Sequence, residues 1–123
     1  MLPTLPQVVC LTEHHLKDQE IAHFSMDYYT LGAKFCRKNL KQGGTCILVH
    51  ESLDFNNIDL QKSCIEQDIE ACAIKIDLLN TYIYVISIYR SPMGNFANFI
   101  KGIDAILNQL YKPNIEIKIC VSI

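Results

Sequence analysis

The sequence predicts an α+β chain layered as a sandwich of helix and mixed, largely antiparallel sheet, and three observations point there. Short apolar or alternating runs recur along the chain, bounded by turn residues, as strands are. Two of them flank Gly43-Gly44 and read as a hairpin. One long amphipathic stretch, Phe96 to Tyr111, stands between the most apolar run and a strictly alternating one, which is a helical crossover between strands.

In chain order, Gln7 to Leu11 is a β-branched run between Pro6 and the polar Thr12-Glu13, and reads as a buried strand. Lys17 to Phe24 has the weak periodicity of a helical turn or two, and Tyr28 to Lys38 mixes aromatic and polar residues as a strand does. The charged connection Arg37 to Gln42 leads through Gly43-Gly44 into a second strand, Thr45 to His50. Asp54 to Gln67 is polar and reads as irregular. Ile69 to Asp77 sets Cys72, Ile74 and Ile76 on one face and Ala71, Ala73 and Lys75 on the other. Tyr82 to Tyr89 is almost wholly apolar, as a central strand covered on both faces is.

The helix that follows carries Phe96, Phe99, Ile100, Ile103, Ile106, Leu107 and Leu110 at i, i+3, i+4, i+7 spacing, which predicts one core-facing stripe. Asn95 is placed to cap it and Pro113 to stop it. Gly102 costs about 1 kcal/mol of helix propensity, which the apolar face outweighs. Ile115, Ile117, Ile119 and Val121 then alternate with polar residues and cysteine through a last strand.

Length and composition set the limits. The chain has 123 residues, enough for one domain and too few for two. Half of them are apolar and 20% charged, the balance of a chain that buries a core. A formal charge of −2 gives no global basic footprint, so any nucleic-acid contact has to be local. Six cysteines lack any C-x-x-C or zinc spacing. Cys10, Cys46, Cys72 and Cys120 sit inside apolar or alternating runs, and all six are expected as unpaired thiols. The start, Met1 to Pro6, lacks the basic and apolar regions of a secretory signal, and no run approaches the ~20 apolar residues of a membrane helix. A soluble, unexported protein is the expectation.

Four places offer chemistry. Glu13 leaves an apolar strand, where a carboxylate is placed to hold a divalent cation at a sheet rim, although spacing alone favours a loop glutamate or a helix-capping acid paired with Thr12. His14 and His15 are adjacent, point different ways and read as a solvated loop pair. Tyr89-Arg90-Ser91-Pro92 puts a phenol and a guanidinium at a strand exit, suited to phosphate oxygens or to an ordinary strand-to-loop boundary. Arg37, Lys38 and Lys41 beside Gly43-Gly44 suit a nucleic-acid backbone or a solvated hairpin tip.

In order, Pro6-x-Val8-Val9-x-Leu11-Thr12-Glu13, Gly43-Gly44-Thr45-x-Ile47, Glu70 opening a strand, Tyr89-Arg90-Ser91-Pro92, the Phe96–Leu110 helix and the Ile115–Val121 strand resemble the endonuclease/exonuclease/phosphatase superfamily. The pattern is most similar to the apurinic-type endonuclease domain of non-LTR retrotransposon polyproteins, and covers about the middle half of that domain. The resemblance implies a partial four-layer α/β/β/α sandwich and a Mg²⁺-dependent phosphodiesterase acting on DNA. It implies Glu13 as a metal ligand and Tyr89 as a contact to the scissile phosphate, with Arg90, Arg37, Lys38 and Lys41 as further phosphate or nucleic-acid contacts. Gly43-Gly44 and Glu70 match family positions that look structural. It also implies an intracellular setting, the nucleus included, and no membrane partner.

The chain departs from the pattern at both ends. The family's first strand, with an asparagine near the metal, has no counterpart before Met1. The Gly-Asp-x-Asn motif and the later Asp-His pair that supplies the general base have none before Ile123. The expectation is therefore a single incomplete domain over residues 1–123, inactive as it stands, with a non-catalytic binding or structural α/β fragment as the alternative.

Overall fold

A computed structural model describes residues 5–123, so the start of the chain, where the absence of a secretory signal was read, lies partly outside the described residues. The architecture is α+β, with two mostly antiparallel sheets and few helices. Strands β1 (Val8–Thr12), β2 (Tyr29–Phe35) and β3 (Thr45–His50) form a first sheet in the order β1-β3-β2, antiparallel throughout. Strands β4 (Phe55–Ile58), β5 (Glu70–Asp77), β6 (Tyr82–Tyr89) and β7 (Glu116–Ser122) form a second sheet in that order, antiparallel except for the β6–β7 pair.

The parallel pair follows from the chain path. Helix α2 (Phe96–Leu110) carries the chain back across the sheet, so β7 enters alongside β6 in the same direction. Asn95 caps α2 as expected, its side chain accepting the Asn98 N–H at 2.9 Å. Asp68, just ahead of β5, fastens the same helix end by accepting from Asn95 N–H at 2.7 Å and Asn98 Nδ2 at 2.8 Å. The short α1 (Asp18–Ile21) begins with Glu20 accepting from the Lys17 N–H at 3.0 Å.

Strand alternation sorts the core. Cys72, Ile74 and Ile76 of β5, with Val85 of β6, pack on Ala33, Ile47 and Val49 of the first sheet. Ala71 and Ala73 turn the other way and join Tyr84, Ile86 and Ile88 beneath Phe99, Ile106 and Leu110 of α2. A third cluster, Ile21, Cys36 and Cys46, lies under α1. The face assignment read for β5 and the central place read for β6 both hold.

Two readings need correction. The 54–67 segment is not irregular throughout. It contains β4, paired to β5, and a 3₁₀ turn at Gln61–Ser63. The α2 stripe is also narrower than its periodicity, because Phe96 and Ile100 remain 60% and 48% exposed on the flank away from the core. Gly102, by contrast, is buried, and a Cβ there would lie 2.7 Å from Ile69 Cδ1. The glycine lets the helix sit close to the sheet.

No helix among the described residues is long and apolar enough to cross a membrane. All six cysteines are free thiols, as the sequence predicts.

Candidate functional site

The site lies where the exit of β1 meets the exit of β6. Past Thr12 the first sheet's ladder continues into a loop: Glu13 N–H donates to Gly44 O at 2.7 Å, and His15 N–H to Gly43 O at 2.8 Å. Glu13 and His15 hold positive φ values of 55° and 62°, a conformation that costs an L-residue energy and persists only where partners fix it. That twist leaves the Glu13 side chain exposed, facing the end of β6. There Tyr89, 4% exposed, donates its phenol hydrogen to Glu13 Oε1.

The pair joins residues 76 positions apart and from different sheets. Burial, together with the Glu13 carboxylate, pushes the Tyr89 phenol above its usual range. Near neutral pH it is therefore a protonated donor aimed at a carboxylate, not a phenolate.

Behind the pair stands a buried ionic frame. Glu70 opens β5 directly opposite Tyr89 and is wholly buried. Its carboxylate accepts from Arg37 Nε at 2.6 Å, Gly44 N–H at 2.7 Å and Gln67 N–H at 2.8 Å. Arg37 in turn donates to Lys41 O at 2.8 Å, which ties the loop onto itself. Gly44 thus donates its N–H to Glu70 and accepts the Glu13 N–H on its carbonyl, so the buried acid positions the exposed one through a single residue. Both glycines are required: their φ values are 67° and 91°. A Cβ at Gly43 would fall 2.1 Å from Arg37 Nε, and one at Gly44 2.3 Å from the His14 ring.

His14 completes the frame. Its Nδ1 accepts the Leu16 N–H at 2.9 Å, which leaves Nε2 as the protonated nitrogen facing Phe35 O at 3.1 Å. Burial lowers its pKa, outweighing the carbonyls that favour a charged ring. This histidine is a neutral pin between the exit of β1 and the end of β2, not half of a solvated pair.

The remaining sequence candidates separate. Arg37 is 6% exposed and held by Glu70, so it is not a surface contact for nucleic acid. A window of local charge gave no sign of this, because the partner lies 33 positions away. Arg90 turns to the opposite face of the strand from Tyr89. Its guanidinium lies 5.3 Å from the Phe96 ring centre and 6.0 Å from that of Phe99, and it donates to Gly94 O at 3.2 Å. It is therefore not beside Glu13. Lys38 and Lys41 keep exposed side chains on the loop that carries the two glycines. Glu70 was visible in sequence as a charge opening an apolar strand, while the role of Arg37 as its partner was not.

Among the described residues no group of three or more His, Cys, Asp or Glu side chains is gathered to hold a metal ion. At this corner the donor set is the Glu13 carboxylate, one oxygen of which already accepts from Tyr89. That set does not by itself fit a resident Mg²⁺, which takes six oxygen ligands at near-octahedral geometry. No protein-family model matches the chain, and no curated protein matches it.

Proposed function

We propose that the Glu13–Tyr89 corner is the metal and phosphate rim of a retrotransposon-type endonuclease/exonuclease/phosphatase domain, whose complete form cleaves DNA phosphodiesters with Mg²⁺. On this reading the two sheets and their flanking helices are part of a four-layer α/β/β/α sandwich. The observation that supports it most is the meeting of a carboxylate and a phenol from the exits of two different sheets, held by a buried ionic frame. A phenol placed beside a carboxylate suits a phosphate oxygen brought to the same place by a cation.

The 123 residues alone should be a poor catalyst. Glu13 is a single carboxylate, and His14 has both ring nitrogens engaged, so it is not free to take a proton from water. In the complete domain Glu13 would be one of several oxygen ligands to a cation, and Tyr89 would orient a phosphate oxygen beside it.

The test is nicking of supercoiled plasmid and abasic-site duplex in Mg²⁺. The 123-residue chain is expected to leave both intact. Fusion to segments supplying Gly-Asp-x-Asn and an Asp-His pair is expected to give nicking, which Glu13→Ala abolishes and Tyr89→Phe lowers by about 10²-fold. A folded fusion that never nicks, or one indifferent to Glu13→Ala, would leave the non-catalytic fragment as the better reading.

A further inference from the structure

Cys10 lies on β1 and Cys120 on β7, each on the outermost strand at one end of its sheet. Strand register turns both toward the gap between the sheets. Cys10 packs among the residues of the inter-sheet core, and Cys120 sits opposite Ser87, whose hydroxyl is in that core at 2.6 Å from Thr45 Oγ1. Both line a cavity of about 330 Å³ whose walls include Val8, Ile76, Val85 and Lys118. From facing strands the two thiols open onto this one space. Of the six cysteines, Cys120 is the exposed one.

We infer that Cys10 and Cys120 form a reversible oxidation site, an accessible thiol and a half-buried resolving thiol that a small disulfide such as oxidised glutathione converts to an inter-sheet Cys10–Cys120 bond. The Cys120 thiolate attacks the small disulfide, forms a mixed disulfide and releases one glutathione. Cys10 sulfur then attacks the Cys120 sulfur of the mixed disulfide, and its proton leaves with the second glutathione. Two protein thiols and one glutathione disulfide become one protein disulfide and two glutathione thiols.

The geometry sets the order of attack. Cys120 reaches solvent, whereas burial and then the neighbouring Cys120 push the Cys10 thiol up to about 12, so Cys10 is the slow, second sulfur. A disulfide needs its Cα atoms within about 4.4–6.8 Å, so forming it draws the edge strands β1 and β7 together across the cavity that both cysteines line. The bond would tie the strand leading into Glu13 to the strand paired with β6, two residues before the Tyr89–Ser122 register position. It stands independently of any phosphodiesterase activity.

The experiment is incubation of the full chain with oxidised glutathione, followed by alkylation, intact mass and peptide mapping. The expected product has lost two hydrogens, carries alkyl groups on the other four cysteines, and yields a Cys10–Cys120 linked peptide. Closing a loop over most of the chain should raise Tm by roughly 5–15 °C, reversed by dithiothreitol. Cys120→Ser, at an exposed position, should fold normally and show neither the link nor the shift. Cys10→Ser should stop at a glutathione adduct on Cys120. A wild-type chain that stops at that adduct, links another pair, or shows the same Tm shift in Cys120→Ser would overturn the inference.

Discussion

Replacing Glu70 with alanine removes one side chain and strands three donors. Arg37 Nε, Gly44 N–H and Gln67 N–H all end on this carboxylate, at 2.6, 2.7 and 2.8 Å, and the glutamate is wholly buried. Arg37, itself 6% exposed, would keep its charge without the partner that offsets its desolvation. Breaking a buried ion pair from one side costs roughly 3–5 kcal/mol, a large part of the 5–15 kcal/mol that holds a domain folded. With an m-value of about 1.5 kcal/mol/M, the urea midpoint should fall by roughly 2–3 M. Equilibrium unfolding followed by circular dichroism reads this directly. Glu70→Gln should be nearly as damaging, since its amide must point an N–H at one of the same donors. Replacing both partners with leucine or methionine should cost less than Glu70→Ala, because no buried charge is then left alone. A Glu70→Ala chain within 1 kcal/mol of the parent would refute the claim that this pair frames the site.

Two further outcomes test other parts of the fold. Gly102→Ala should destabilise by about 1 kcal/mol in urea unfolding: the ~1 kcal/mol propensity gain is outweighed by a Cβ placed 2.7 Å from Ile69 Cδ1 and 3.0 Å from the Ser63 carbonyl, and a stabilised variant would mean that α2 does not sit so close. Because His14 is held below its ordinary value of 6.5, the unfolded chain takes up its proton first as pH falls. The His14 contribution is therefore constant above about pH 7 and is lost on acidification below 6.5, so a His14→Gln chain should show a shallower loss of stability between pH 7 and 5.

How much of this was legible in the sequence depends on the distance over which each feature is decided. The α2 boundaries and the Asn95 cap are local, and periodicity with one polar residue located them. The width of its buried face is not local. Phe96 and Ile100 satisfy the same spacing as Phe99 and Ile106, but whether an apolar arc is covered depends on what the sheet beneath it reaches. Strand β4 was missed for a related reason. Its Asn56-Asn57 centre has poor strand propensity, and it is recruited by pairing with β5 and by Asn57 Nδ2 donating to Gly32 O at 3.0 Å on the other sheet.

The candidate site divides along the same line. Glu13 and Tyr89 each end an apolar run, so a strand-exit rule finds both, and their hydrogen bond then depends only on the two sheets facing each other at that end. Arg37 sits in a run with Lys38 and Lys41 that looks like any solvated basic tip. What distinguishes it is Glu70, which no local window contains. The carboxylate that opens β5 has to be buried because it lies opposite Tyr89 in the sheet, and a buried carboxylate requires donors. The nearest chain able to supply them is the 36–44 loop, with one guanidinium and one glycine N–H. Once that pairing is made, Gly44 is fixed, Glu13 hangs from its carbonyl, and the exposed acid inherits a precise position from the buried one. A chemical role for Glu13 would thus rest on a structural role for Arg37, which the sequence offers alongside Lys38 and Lys41 and which the fold holds against Glu70.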